Sequence, residues 1–465
     1  MPQPYSFCYR IATFFRISIL LSIIFHIFAR GNQIDKNMKR ILLSLCVLLR
    51  YAFSSQAHRL RLQRECAFAM SFIFVLLVAL SMSSCQPKVC QIKDKTFHAM
   101  ISKNNDFTWK LYREASDSTS SIISPISITY LLSMTLNGAE GNTLEEIKTN
   151  LGWKDMSPES INSFCYRLMN EETSKRDSVL KISNYIALNK DYSFKHSFVK
   201  KARSIYNAQV ECLDFSDQTN STHINDWCKK HTNGMIPSMI DKIEPSVVSY
   251  FLNAISFHDE WEKPFEEINT EDKPFYCINR HTKDINMMTD NEAEFPYMED
   301  SLLSAISLPY KGGKYSMVIL LPRKNHSLKE VRERLNQHRF QQILQKMKTE
   351  KNINLWIPKF TIDKQTPLKQ ILSQMGFGSL FNSQTANFQK LANQNIYVSD
   401  MRQRARIEVT EQGTKAAAVT LFEYAELGLL VPQHQKTFHA DHPFIYVIRN
   451  NMNRTLLFIG QYTGI

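Results

Sequence analysis

Residues 411–430 read EQGTKAAAVTLFEYAELGLL, a connection near the C-terminus that is composed like a strand. Residues 416–422 carry no charge, no Gly and no Pro. The alternate positions Thr414, Ala416, Ala418 and Thr420 are all small. Alternate residues of a strand share one face. A small-residue face suits a segment that slides between two existing strands. Neighbouring strand-like runs end near Val409 and resume near Phe444, leaving more than thirty residues of connection. Loops of that length in compact domains are functional or disordered, and a disordered one is rich in charge, Gly and Ser. The stretch reads instead as a loop held outside a sheet with the composition to enter it.

Working outward, six further segments occur in order. They are ISPISIT at 123–129, GAEGNTLEEIKTNL at 138–151 and the Asn225 to Pro237 run with its Trp and TNGMI turn. FLNAISFHDEWEKPF at 251–265, LPYKGGKYSMVILLP at 308–322 and the C-terminal FHADHPFIYVIRNNMNRTLLFIGQ complete the set. Together with the 411–430 stretch they resemble the serpins, a family of suicide protease inhibitors. The resemblance runs from Thr96 to Ile465, 370 residues.

The resemblance implies an α+β serpin fold: one domain with about three β-sheets, surrounding helices and an exposed reactive-centre loop over about 411–437. It implies a serine-type endopeptidase inhibitor that offers its loop as bait. Cleavage forms a covalent acyl complex with the target protease, and the freed loop inserts into the central sheet and stalls deacylation. Glu411, Gly413, Thr414, Ala416, Ala417 and Ala418 match the family hinge. Lys415 and Gln412 stand where the family has Glu. Thr414, Ala416 and Ala418 are expected to point inward and Lys415 outward. Counting the family span from Gly413 puts the scissile bond at Leu427–Gly428, with Leu429 and Leu430 as alternatives. An apolar residue there suits chymotrypsin-, elastase- or subtilisin-like targets. Papain-like cysteine proteases, or a noninhibitory binding or chaperone module, are the alternatives. Ser124, Ser127, Asn184, Asn253 and Gln403 match a polar cluster beneath the sheet, with Gln403 in place of a frequent His. Trp261 matches a family Trp near the point where the loop enters.

Composition agrees with one large domain. Hydrophobic residues make up 43% of 465 and charged residues 22%, ordinary values for a globular protein. The net charge of +12 is uneven. Residues 1–84 hold ten Lys/Arg against Asp35 and Glu65, or +8; the rest holds 46 basic and 42 acidic residues, or +4. Basic residues of the folded part are dispersed, densest at Lys200–Lys201 and Arg402–Arg406, so no nucleic-acid partner is expected.

Residues 1–84 read as a leader with apolar stretches at 11–28, 41–49 and 68–82. Each is short beside the roughly 20 residues of a spanning helix. The last runs into Ser83-Ser84-Cys85 and resembles a bacterial lipoprotein signal. That implies lipidation of Cys85, a tether over 85–95 and an exported monomer. It would be anchored to an outer membrane by its lipid or released outside the cell. A plain secretory signal and a start at Met38 are the competing readings. The nine cysteines have irregular spacing and no CxxC pair, which suggests neither a disulfide framework nor a zinc site.

The coarse elements follow from period and punctuation. An amphipathic helix is expected over 96–115, and Ser124-Pro125 and Ser157-Pro158 read as helix starts. Thr143 and Glu146 have capping-box spacing. Val179–Leu188, Val247–Phe257, Asn352–Phe360 and Ile396–Val409 read as strands. Val247–Phe257 is apolar enough to be buried on both faces. Lys311-Gly312-Gly313-Lys314 is a hairpin signal.

No catalytic constellation stands out, so no enzyme, cofactor or metal is expected. GxSxG, GxxxxGK[ST], HExxH and GxGxxG are all missing. His258, Asp259 and Glu260 are adjacent but alternate in direction on a strand; the family has Lys-Gly-Lys there. His439, Asp441 and His442 fall in the structural C-terminal motif.

Overall fold

A computed structural model of the chain describes residues 92–173, 179–414 and 436–465. Helices dominate the first half, at Asp94–Ala115, Pro125–Leu136, Gly141–Asn150, Pro158–Thr173, His196–Tyr206 and Thr219–His231, and shorter ones follow at Leu328–Arg334, Gln337–Lys346 and Leu368–Leu372. Pro125 and Pro158 open their helices as their fixed φ favours. Ser157 Oγ accepts from Ser160 N at 3.1 Å. The capping-box expectation at Thr143 is corrected. That helix begins at Gly141, and Thr143 and Glu146 turn to another segment instead. Thr143 Oγ1 accepts from Asn387 N and Glu146 Oε1 from Ser379 N.

Sixteen strands lie among the described residues. In chain order they are β1 (Ser121–Ile123), β2 (Leu180–Asn189), β3 (Ala208–Leu213), β4 (Ser249–Phe257), β5 (Asp259–Glu260), β6 (Thr270–Tyr276), β7 (Thr282–Glu299) and β8 (Leu303–Pro309). There follow β9 (Tyr315–Pro322), β10 (Lys348–Pro358), β11 (Phe360–Pro367), β12 (Asp400–Thr410), β13 (Gly413–Thr414), β14 (Lys436–His439), β15 (Phe444–Asn450) and β16 (Leu456–Tyr462).

Hydrogen bonding joins them into two networks, one of which comprises two sub-sheets. One has the order β1-β16-β15-β9-β8-β7-β10-β14, with β6 on β7. Its 18-residue β7 pairs β6 with its first half and β8 with its last three residues, so two sub-sheets share one strand. The other runs β3-β2-β4-β12-β13-β5, with β11 on β12.

The second sheet has both faces covered around β4, all nine of whose residues are buried. Phe251, Ile255 and Phe257 join the main core, whereas Tyr250, Leu252 and Ala254 pack with Trp227, Met235 and Ile240 on the opposite side. Two-sided burial explains the near-continuous apolar run in the sequence. The Lys311–Lys314 hairpin forms as read, with Gly312 and Gly313 at φ +75° and +68°, the left-handed values such a turn requires. The four described cysteines, Cys165, Cys212, Cys228 and Cys277, are free thiols.

Candidate functional site

The candidate site is the end of the second sheet where β4 and β12 part. These strands pair in parallel from Asp400↔Tyr250 to Arg406↔Ser256. Beyond Ser256 the seam opens, and β13 occupies the gap. Gly413 and Thr414 pair antiparallel with Thr410 and Val409 on one side. On the other they pair antiparallel with Glu260 and Asp259. The connection therefore does not begin outside the sheet, as its composition suggested. Its first two hinge residues are already strand, and Thr414 is fully buried.

Only glycine fits the first of these positions. Gly413 has φ +146°, and a Cβ there would collide with the Asp259 carbonyl oxygen and press on Glu260 Cα at 2.7 Å. Glu411, in the turn between β12 and β13, is held from the other side. Lys359 Nζ lies 2.8 Å from its carboxylate, and Thr270 Oγ1 donates to it at 2.7 Å. Burial pushes the Glu411 carboxyl upward, but Lys359 and Thr270 outweigh that and hold it below the usual range.

Trp261 and Tyr310 line the same gap. Their rings stack at 4.4 Å between centroids, 16° from parallel. The indole N–H of Trp261 donates to Thr410 O at 3.0 Å, and its backbone N–H donates to Gln412 O at 2.9 Å. The hydroxyls of Tyr310 and Thr414 are 2.7 Å apart.

Asp259, opposite Thr414, is half-buried. Burial and then the Glu260 charge push its carboxyl up to about 6, against opposing pulls from the Glu260 N–H and Lys311. The acidic pair Asp259-Glu260 thus borders Gly413 and Thr414.

The polar cluster lies further down the seam. Asn184, Asn253 and Gln403 stand side by side on β2, β4 and β12, in register on the inner face. Asn253 Nδ2 donates to Asn184 Oδ1 at 2.9 Å, and Asn184 Nδ2 to Tyr206 O at 3.0 Å. Gln403 exchanges two bonds with the Ser124 backbone. Its Oε1 accepts from Ser124 N and its Nε2 donates to Ser124 O, both at 2.8 Å. Ser124 Oγ donates to Leu457 O at 2.8 Å and to Ser127 Oγ at 3.3 Å. Every member is buried, so these bonds satisfy groups that water cannot reach.

The structure thus brings Glu411, Gly413, Thr414 and Trp261 together at the open end of the seam. Ser124, Ser127, Asn184, Asn253 and Gln403 gather beneath its paired part. The remaining hinge residues Ala416, Ala417 and Ala418, the candidate bond at Leu427, Gly428, Leu429 and Leu430, and Cys85 lie outside the described residues. Sequence reasoning missed Lys359, Thr270 and Tyr310. Tyr310 sits inside the LPY segment and had a signal; the other two had none.

Other candidates resolve into structural roles. His439 stacks on Trp356 at 3.6 Å, and burial lowers its pKa. His442 bonds Asp441 at 2.7 Å and Pro322 O at 2.8 Å, and these outweigh burial to raise its pKa. No group of metal-ligating side chains forms among the described residues. In the basic run of β12, Arg402, Arg404 and Arg406 face Asp400, Asp363 and Glu408 respectively.

Comparison with known proteins gives a consistent answer. The family model described as "Serpin (serine protease inhibitor)" matches residues 102–465. A leukocyte elastase inhibitor A from Rattus norvegicus is 30% identical over 378 residues, covering 78% of this chain and 98% of that protein. Antichymotrypsin-2 from Bombyx mori is 27% identical, covering 75% and 94%. Among solved structures, the thermophilic serpin tengpin in its native state superposes with TM-score 0.74 at 30% identity, covering 82% and 96%.

Proposed function

Because the chain belongs to the serpin family, we propose that it inhibits serine-type endopeptidases as a suicide substrate, trapping the acyl-enzyme by inserting its cleaved loop between β4 and β12. Serpins as a family are protease inhibitors. The observation that carries the specific mechanism is the seat of β13, antiparallel to both neighbours at the open end of a parallel seam.

Continuing that register shows what insertion demands. On the β12 side, positions 416, 418 and 420 meet Ile407, Ala405 and Gln403, which are buried. On the β4 side the same positions meet Phe257, Ile255 and Asn253. The two counts agree, because β4 and β12 already pair Asn253 with Gln403. Ala416, Ala418 and Thr420 are small enough for that inner face. Lys415 falls on the outer face directly across from Glu408, an opposite-charge pair of the kind that stabilises antiparallel ladders. The departure from the family Glu at this position therefore favours insertion in this chain.

The bait bond is Leu427–Gly428, which fits proteases with a deep apolar primary pocket. The similarity to inhibitors named for elastase and chymotrypsin supports that choice. The protein acts as an exported monomer, tethered by a lipid on Cys85. The apolar run ending at Ser83-Ser84-Cys85 supports this, and loss of radiolabelled palmitate from Cys85→Ala would test it.

The inhibitory reading is tested by mixing the chain with a chymotrypsin-like and an elastase-like protease and boiling in SDS. A band at the summed mass is expected, with a new N-terminus at Gly428. Clean cleavage between Tyr424 and Val431 without that band would overturn it for these enzymes.

A further inference from the structure

Three alternate carbonyl or hydroxyl groups of the hinge are held by one stacked aromatic pair. Trp261 takes Thr410 O and Gln412 O through its two N–H groups, and Tyr310 takes the Thr414 hydroxyl. We infer that Tyr310 is a positioning residue for loop insertion, clasping Thr414 in the register that the inserted strand needs before any protease arrives. The inference rests on the insertion mechanism proposed above.

Tyr310 is well mounted for this task. It follows β8 and belongs to the other sheet network. Its N–H donates to Tyr315 O at 3.0 Å, and its carbonyl accepts from Gly313 N at 2.9 Å. Phe257 packs edge-on against its ring at 5.0 Å. The hairpin fixes the ring without help from the hinge. The Tyr310–Thr414 bond therefore ties a rigid part of one sheet to the growing point of the other.

The hydroxyl is what separates a clasp from packing. Phe would fill the same space and stack as well on Trp261. Tyr310 and Thr414 are both fully buried, where a hydroxyl must find a partner. Removing one hydroxyl strands the other, whereas removing both leaves nothing unsatisfied. The timing matters because insertion competes with deacylation. A first strand pair already in register spares the chain the search for it after cleavage. Register continuity also keeps the same pair in the inserted product. The clasp is thus a nucleus that insertion does not have to break.

The test is hydrogen exchange on the full chain, read by mass spectrometry at peptides covering 410–414. Wild type, Tyr310→Phe, Thr414→Val and the double variant are compared. Wild-type amides at Gly413 and Thr414 should be protected. Tyr310→Phe should exchange there about tenfold faster, and the double variant should recover most of the protection. With a protease that forms the covalent complex, Tyr310→Phe should raise the number of inhibitor molecules consumed per enzyme trapped, while the association rate does not fall. If Tyr310→Phe does not fold, Thr414→Val reads the same bond from the other side. Equal protection in wild type and both single variants, or no protection in wild type, overturns the clasp. Absence of any covalent complex overturns the inhibitory reading instead, and the exchange data still decide the clasp.

Discussion

The Lys359 ammonium stands 2.8 Å from the Glu411 carboxylate, across the turn that reverses β12 into β13. Glu411 is the buried partner, with its side chain 6% exposed against 36% for Lys359. Removing Lys359 leaves a carboxylate with one hydroxyl donor and little water. Lys359→Ala should destabilise the chain by about 1–3 kcal/mol, discounted because Lys359 is partly solvated. Denaturant unfolding measures this, and a loss below about 0.3 kcal/mol would mean that the pair does not hold the turn. Glu411 titrates below its unfolded value of about 4.3. Its contribution is therefore present above that value and lost as pH falls through the folded-state value.

Thr414→Arg tests whether inward seating is required for inhibition. The position is fully buried against Val409 and Tyr310, and a guanidinium there would need desolvation without a partner. The variant should be cleaved at the wild-type bond but release the protease, so that a stable complex becomes substrate turnover. Unchanged complex yield on SDS gels would rule out inward insertion of this residue.

Asp259 gives the hinge end of the sheet a pH signature. Its folded-state pKa is raised to about 6, against about 3.9 unfolded. The native state therefore binds the proton more tightly. The stabilisation is full below about 3.9 and is lost as pH rises through about 6. Asp259→Asn keeps the shape and removes the charge. Its stability advantage over wild type should grow between pH 4 and 6 and level off above. Unfolding curves at both ends of that range check it; a constant difference would place the titration elsewhere.

Gln403 supplies one acceptor and one donor to the Ser124 backbone. Gln403→Leu should cost about 1–3 kcal/mol, since the Ser124 N–H is left buried and unpaired while its carbonyl keeps only the 3.3 Å bond from Ile128 N. Gln403→His should lose less, because an imidazole restores at least one bond. Equal stability of the Leu and His variants, measured by thermal unfolding at one pH, would remove the cluster from the stability of the seam.

Much of this fold was legible because its strands punctuate themselves. Residues 249–257 are apolar on both faces and pair on both edges, and Lys311–Lys314 carries its own turn chemistry. Gly413 was legible because its position in the sheet meets a steric demand that only glycine satisfies. What the sequence could not give was occupancy. Nothing in Gly413-Thr414 says whether the pair sits in or out of the sheet; that depends on Trp261 and Tyr310, distant in the chain. Lys359 was invisible for the same reason, since an isolated Lys after a strand has no local pattern. Thr143 and Glu146 misled because capping spacing is local, while their partners at Ser379 and Asn387 lie over 230 residues away.

Under the proposed insertion mechanism, the direction of the β4–β12 seam decides where surplus free energy would be kept. Seven residue pairs, Asp400–Arg406 with Tyr250–Ser256, are bonded in parallel, the slightly weaker of the two ladder geometries. A strand admitted between them would run antiparallel to both, exchanging one slanted ladder for two perpendicular ones. The native form then needs neither a broken contact nor a distorted bond to be the higher-energy arrangement. The seam is paired along its length and merely one strand short. Such a seam would look relaxed to any census of its ladder bonds, and its endurance would be a half-life, set by how rarely it parts, rather than a depth of well.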